Sequence, residues 1–132
     1  MQTISLTARQ IKELVSIAKG VLPDESCALL LGKKDTVVEI LPMRNVEKSP
    51  VTFRIGSTEL VRAYNLAESK GLGIIAIFHS HPAEPSPSNT DRKFMEINPV
   101  VWLIYSTTEW RLKAYVYDDD LKEVAIKIAA RG

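Results

Sequence analysis

A chain of 132 residues with 45% hydrophobic and 25% charged residues, 6 Gly and 7 Pro, has the make-up of one folded domain, 1–132, and excludes low-complexity, collagen-like and disordered classes. Seventeen Lys and Arg against sixteen Asp and Glu leave a net charge of +1, so no whole-molecule field draws the chain to nucleic acid or to an anionic membrane. Apolar runs such as residues 28–31 and 74–78 fall far short of the ~20 residues of a membrane span; residues 1–9 lack a signal-peptide core, and a lone Cys27 excludes an internal disulfide or a multi-cysteine zinc ribbon, which reads as a cytoplasmic protein.

Thr7-Ala8-Arg9-Gln10 has the spacing of a capping box, and Ile11, Leu14, Val15 and Ala18 recur at helical spacing, which predicts an amphipathic helix over residues 8–20. Residues 27–31 and 36–41 read as two strands joined by a hairpin loop at Gly32-Lys33-Lys34-Asp35, and residues 51–55 as a third strand. Ser57-Thr58-Glu59 starts a second helix, with Leu60, Tyr64 and Ala67 on one face, ending at Gly71 or Gly73. Residues 73–79 are nearly all apolar, the pattern of a central strand covered on both faces. Pro82, Pro85 and Pro87 then force an extended loop.

Ser88 caps a short helix that runs to Ile97, where Asn98-Pro99 stops it, and residues 100–105 form a second buried strand. Residues 111–117 alternate as a half-exposed strand, whereas residues 121–129 combine strand-like alternation with helix-favouring composition and are left open. This order predicts an α+β domain, a mixed central sheet flanked by helices.

The only two histidines of the chain are His79 and His81, at the end of the predicted central strand. Residues i and i+2 of a strand project from one face, so two imidazoles can converge on one ion. A catalytic zinc site needs a third protein ligand and an open position for water. Asp91, ten residues after His81 and beyond the proline loop, is the nearest candidate. Its bland reading, the acidic partner of a Ser88 capping box, is compatible with this, because a cap fixes the first helical turn and so aims Asp91. On spacing alone Glu25 reads as a solvated turn residue beside Pro23 and Asp24. Cys27 reads as a small core residue, Ser80 as structural, Trp102 and Tyr105 as core, and Asp118-Asp119-Asp120 as a solvated turn.

Phe78-His79-Ser80-His81-Pro82 followed by Ser88-Asn89-Thr90-Asp91 resembles the signature of the JAMM (MPN+) metalloproteases, H-[ST]-H-P followed by S-x-x-D. The resemblance extends to residues 23–32, which look like the family's first strand with its catalytic glutamate, and covers roughly residues 5–117. Ala28 stands where a glycine is usual, and the spacer between His81 and Asp91 is one residue shorter than is common.

The resemblance implies a fold like that of cytidine deaminase, and one Zn²⁺ per chain held by His79, His81 and Asp91 with a bound water. It further implies Glu25 as the general base beside that water and Ser88 as a donor to the oxyanion. The implied activity is removal of a ubiquitin-like small modifier, or a terminal amino acid, from a Gly-Gly tail of a modifier or sulfur-carrier protein, in a minimal prokaryotic, archaeal-type domain. A homodimer is left open. A metal at a strand end also leaves a groove bounded by strand edges, along which an extended tail could pair. Two other classes stand beside this one. A non-catalytic scaffold subunit is disfavoured because every motif residue is retained. A two-His-one-carboxylate Fe(II) oxygenase is disfavoured because no Asp or Glu lies within four residues before His79.

Overall fold

A computed structural model describes residues 3–129; the expected domain span, 1–132, also takes in Met1, Gln2 and residues 130–132, which lie outside the described residues. The elements in chain order are β1 (Thr3–Thr7), α1 (Ala8–Gly20), β2 (Cys27–Lys33), β3 (Thr36–Met43), α2 (Ser57–Ser69), β4 (Gly73–His81), α3 (Asn89–Ile97), β5 (Val101–Ser106), β6 (Arg111–Asp118) and β7 (Asp120–Ala129). The strands form one mixed sheet in the order β1-β3-β2-β4-β5-β6-β7, and it closes on itself through parallel pairing of β1 with β7. The seam between β1 and β3 is thin, a single register pair of Ser5 with Thr36.

Strand β4 lies between β2, antiparallel to it, and β5, parallel to it, so its backbone groups are paired on both sides. Alternation then divides its side chains. Ala76 and Phe78 enter the main core with Leu103 of β5, Ala28 and Leu30 of β2, and Leu14 and Ala18 of α1. Ile77 faces the other way, into a second cluster built from Met95 of α3, Trp102, Ile104 and Tyr115, with Phe53 packed against it. His79 and His81 continue that second face, and this is what delivers them toward α3. Among the described residues no helix is long and apolar enough to cross a membrane.

The capping box at α1 forms as expected: Thr7 Oγ1 accepts from the Gln10 amide at 3.1 Å while the Thr7 amide donates to Gln10 Oε1 at 2.9 Å. The hairpin between β2 and β3 turns at Lys34-Asp35, preceded by a register shift at Gly32, where a Cβ would overlap the Thr36 carbonyl oxygen.

One expectation needs correction, and two segments without an assigned element form strands. β1, where the sequence pattern assigned no element, is a strand whose Ile4 and Leu6 are buried, and its order comes from distant pairing with β7. The segment left open near the C-terminus is a strand, because both β6 and β1 pair with it. Residues 51–55 are not a strand; Asn45 and Ile55 form an isolated bridge, and the Thr52 carbonyl and the Arg54 amide bond instead to one side chain, described below. The second helix starts at Ser57 as expected; Gly56 is its cap, with no side-chain cap bond, and Glu59 lies in its first turn.

Candidate metal centre

Three elements converge at the C-terminal end of β4. The register sets Cys27 of β2 opposite His79, so Glu25, two residues before the strand, comes beside the imidazole: Glu25 Oε1 lies 3.3 Å from His79 Nδ1. The alignment is held by Ser80, whose side chain faces away from the histidines. Ser80 Oγ accepts from the Ser26 amide at 3.0 Å and lies 2.7 Å from Ser26 Oγ, and the Ser80 amide donates to the Ser26 carbonyl at 3.2 Å.

On the opposite side of the ring stands the first turn of α3. Ser88 and Asp91 close a reciprocal capping box: the Ser88 amide donates to Asp91 Oδ2 at 2.9 Å, and the Asp91 amide donates to Ser88 Oγ at 3.1 Å. The cap aims the carboxylate, and Asp91 Oδ2 lies 3.3 Å from His79 Nε2. His81 stacks beside His79 with ring centroids 5.3 Å apart. Glu25, His79, His81 and Asp91 are all buried, at 5, 1, 8 and 6% exposure, while Ser88 is exposed at the rim.

The electrostatics follow from this crowding. Burial works to lower the pKa of His79, but the Asp91 and Glu25 carboxylates on its two sides outweigh it and raise it to about 9. His81 is lowered from its ordinary value, first by burial and then by its neighbour His79. Asp91 is lowered despite burial, by the His79 imidazole and the Ser88 cap.

Among the described residues no three His, Cys, Asp or Glu side chains stand in the arrangement of a preformed metal cage. The donor set nevertheless fits a divalent cation. His79 Nδ1, His79 Nε2 and His81 Nε2 are buried without a hydrogen-bond partner. Buried polar atoms are almost always satisfied, and leaving one unsatisfied costs about 1–3 kcal/mol. Three such nitrogens facing two buried carboxylates make a pocket for positive charge, and imidazole with carboxylate is a zinc-type donor set.

Two clefts flank these residues, of about 190 and about 310 Å³, and both are lined by Glu25, Val51, Ser88 and Asp91. The clefts are walled by residues 50–54 and by the proline loop. Tyr115 fixes that loop by donating to the Pro85 carbonyl at 2.9 Å. A larger apolar groove of about 420 Å³ between α2 and α3 contains Phe53 and Trp102 but none of the four buried polar residues.

Two residues beside the site carry no motif and were not singled out: Phe53, stacked on His79 with centroids 4.7 Å apart at 20°, and Asn45, bonded to the Glu25 carbonyl. Trp102, read as core, is buried and meets His79 edge-on at 5.9 Å. Cys27 is fully buried, and its thiol is pushed up to about 12 by burial and by the Glu59 and Glu25 carboxylates, which makes it no nucleophile near neutrality. Asp118, Asp119 and Asp120 are exposed at the β6–β7 turn.

The family model for prokaryotic homologues of the JAB domain matches residues 7–115. The desampylase of Pyrococcus furiosus is 36% identical over 105 residues, covering 79% of this chain and 74% of that protein. The CysO-cysteine peptidase of Mycobacterium tuberculosis is 31% identical over 107 residues, covering 79% of this chain and 73% of that protein. A solution structure of a protein from Desulfitobacterium hafniense superposes with a TM-score of 0.86 at 30% identity, over 97% of this chain and 94% of that one. Its matched span and its likeness to these relatives establish that the chain belongs to the prokaryotic homologues of the JAB domain.

Proposed function

We propose that this protein is a zinc-dependent peptidase of the JAMM type that hydrolyses the amide bond after the C-terminal Gly-Gly of a small ubiquitin-like modifier or sulfur-carrier protein. The leaving side is a lysine side chain or a single amino acid. One observation carries the reading: three orphaned imidazole nitrogens gathered with two buried carboxylates at a strand end. The names of its relatives, a desampylase and a CysO-cysteine peptidase, support the substrate class.

In this reading His79, His81 and Asp91 hold one zinc per chain. When bound, zinc acidifies water to near-neutral pKa and polarises the amide carbonyl. Glu25 accepts the proton of the attacking water and passes it to the departing amine. Ser88 acts at the oxyanion. Its oxygen accepts the Asp91 amide as a helix cap, and a hydroxyl that accepts through a lone pair keeps its proton to donate. Phe53 and Trp102 cover His79 and keep bulk water from it.

Ser88→Ala is expected to lower kcat by about 10²–10³ with little change in KM, because the oxyanion exists only in the transition state. The same change removes a cap worth about 1 kcal/mol, so rates are compared well below the melting temperature. A change confined to KM would move Ser88 from chemistry to substrate binding.

Specificity for glycine follows from burial. Glu25 is 5% exposed, so the scissile amide has to enter a narrow cleft, and residues without side chains do so most readily. The test is to incubate the zinc form with a modifier joined to lysine and with the same modifier whose last glycine is valine. Cleavage of the first alone is expected. Equal cleavage of the two, or cleavage of neither beside ready cleavage of unrelated extended peptides, would remove the Gly-Gly tail as the recognition element.

A further inference from the structure

Asn45 lies between β3 and α2, is 8% exposed, and has a saturated carboxamide. Its Nδ2 donates to the Glu25 carbonyl at 3.0 Å and to the Thr52 carbonyl at 2.9 Å; its Oδ1 accepts from the amides of Glu47 at 3.0 Å and Arg54 at 3.1 Å. Two donors and two lone pairs are all that an amide side chain possesses. The chain from 45 to 55 is therefore folded around this one group, with the Val46 amide donating to the Arg54 carbonyl at 3.0 Å as a further tie.

The loop is fastened to Glu25 at both of its backbone polar atoms: the Glu25 carbonyl accepts from Asn45, and the Glu25 amide donates to the Ser49 carbonyl at 2.7 Å. The same loop presents Phe53, which lies flat on His79. A carboxylate 3.3 Å from one edge of the His79 ring and an aromatic face 4.7 Å above it thus take their places from a single side chain.

We propose that Asn45 is a positioning residue of this active site, setting the Glu25 carboxylate and the Phe53 wall against His79 without touching the reacting atoms. The proposal rests on the proton-carrying role given to Glu25 above. Asparagine suits the position because aspartate would turn an acceptor-only group toward two carbonyls, and glutamine is one methylene too long.

The test uses the full zinc-loaded chain and the substitution Asn45→Asp, which keeps both acceptances and removes both donations. The expected result is a kcat lower by roughly 10–10²-fold, with one zinc retained, at a temperature well below melting. Nuclear magnetic resonance gives a readout independent of activity: Phe53 shields the His79 ring protons, and in the variant their signals move downfield as the stack loosens. Ile126→Ala, in β7 on the main-core side, serves as a control for lost stability and keeps both the rate and the His79 signals.

Should Asn45→Asp fail to fold, Asn45→Ser carries the same measurements with a smaller side chain. A folded variant with kcat within about twofold of the parent overturns the proposal. So does a slower variant whose His79 signals are unmoved, or an equal loss of rate in Ile126→Ala at matched melting temperature. If the parent itself cleaves no modifier conjugate, the functional reading fails, and the His79 signals still decide whether Asn45 places Phe53.

Discussion

Stoichiometric zinc is expected to be lost from His79→Ala, His81→Ala and Asp91→Asn, and with it all peptidase activity. A three-ligand site reduced to two binds weakly, so the affinity should fall by more than the roughly 10–100-fold that losing an outer hydrogen-bond partner costs. Asparagine is the better substitution at Asp91 because that carboxylate also accepts the Ser88 amide at 2.9 Å, and a carboxamide oxygen can keep the cap while the charge is removed. Alanine there would confound metal loss with a frayed α3. The measurement is metal content of the purified proteins by mass spectrometry, with a chelator titration for affinity; the same measurement separates zinc from iron in the parent. Retention of one zinc by folded Asp91→Asn would end its assignment as a ligand.

The site was legible in the sequence to the extent that its chemistry is local. His79 and His81 sit two apart on one strand, and Ser88 and Asp91 sit three apart in one helical turn, so strand alternation and the capping box fix each pair before any tertiary contact forms. Glu25 has no such local signature. It reaches His79 only through the pairing of β2 with β4 and the bonds between Ser26 and Ser80, and the residues alone read it as a turn. The family signature, not spacing, singled it out.

The unassigned strand β1 and the misread residues 51–55 share the same cause. β1 contains only Ile4 and Leu6 as apolar residues and is ordered by β7, more than a hundred residues away in the chain. Residues 51–55 are rich in β-formers, yet the Asn45 side chain takes the Arg54 amide and the Thr52 carbonyl that a strand partner would have used. Closure of the sheet through the pairing of β1 with β7 is likewise non-local.

Glu25→Gln should leave the fold and the zinc in place while peptidase activity falls by about 10²–10⁴, the range general acid–base catalysis contributes. The substitution is nearly isosteric. Its carboxamide can still approach His79 Nδ1, where the carboxylate lies at 3.3 Å, and the backbone bonds of residue 25 to Asn45 and Ser49 are untouched. What it removes is an acceptor for the proton of the attacking water. It also removes one of the two buried negative charges beside His79, so zinc affinity is measured in the same preparation and rates are compared only at full loading. Glu25→Asp separates charge from reach: the carboxylate survives, but it withdraws by one methylene into a packed surround that cannot follow it. Its rate should therefore lie between the parent and Glu25→Gln. If Glu25→Gln at full zinc occupancy turns over within a fewfold of the parent, another group carries the proton, and the position of Glu25 beside His79 serves only the metal.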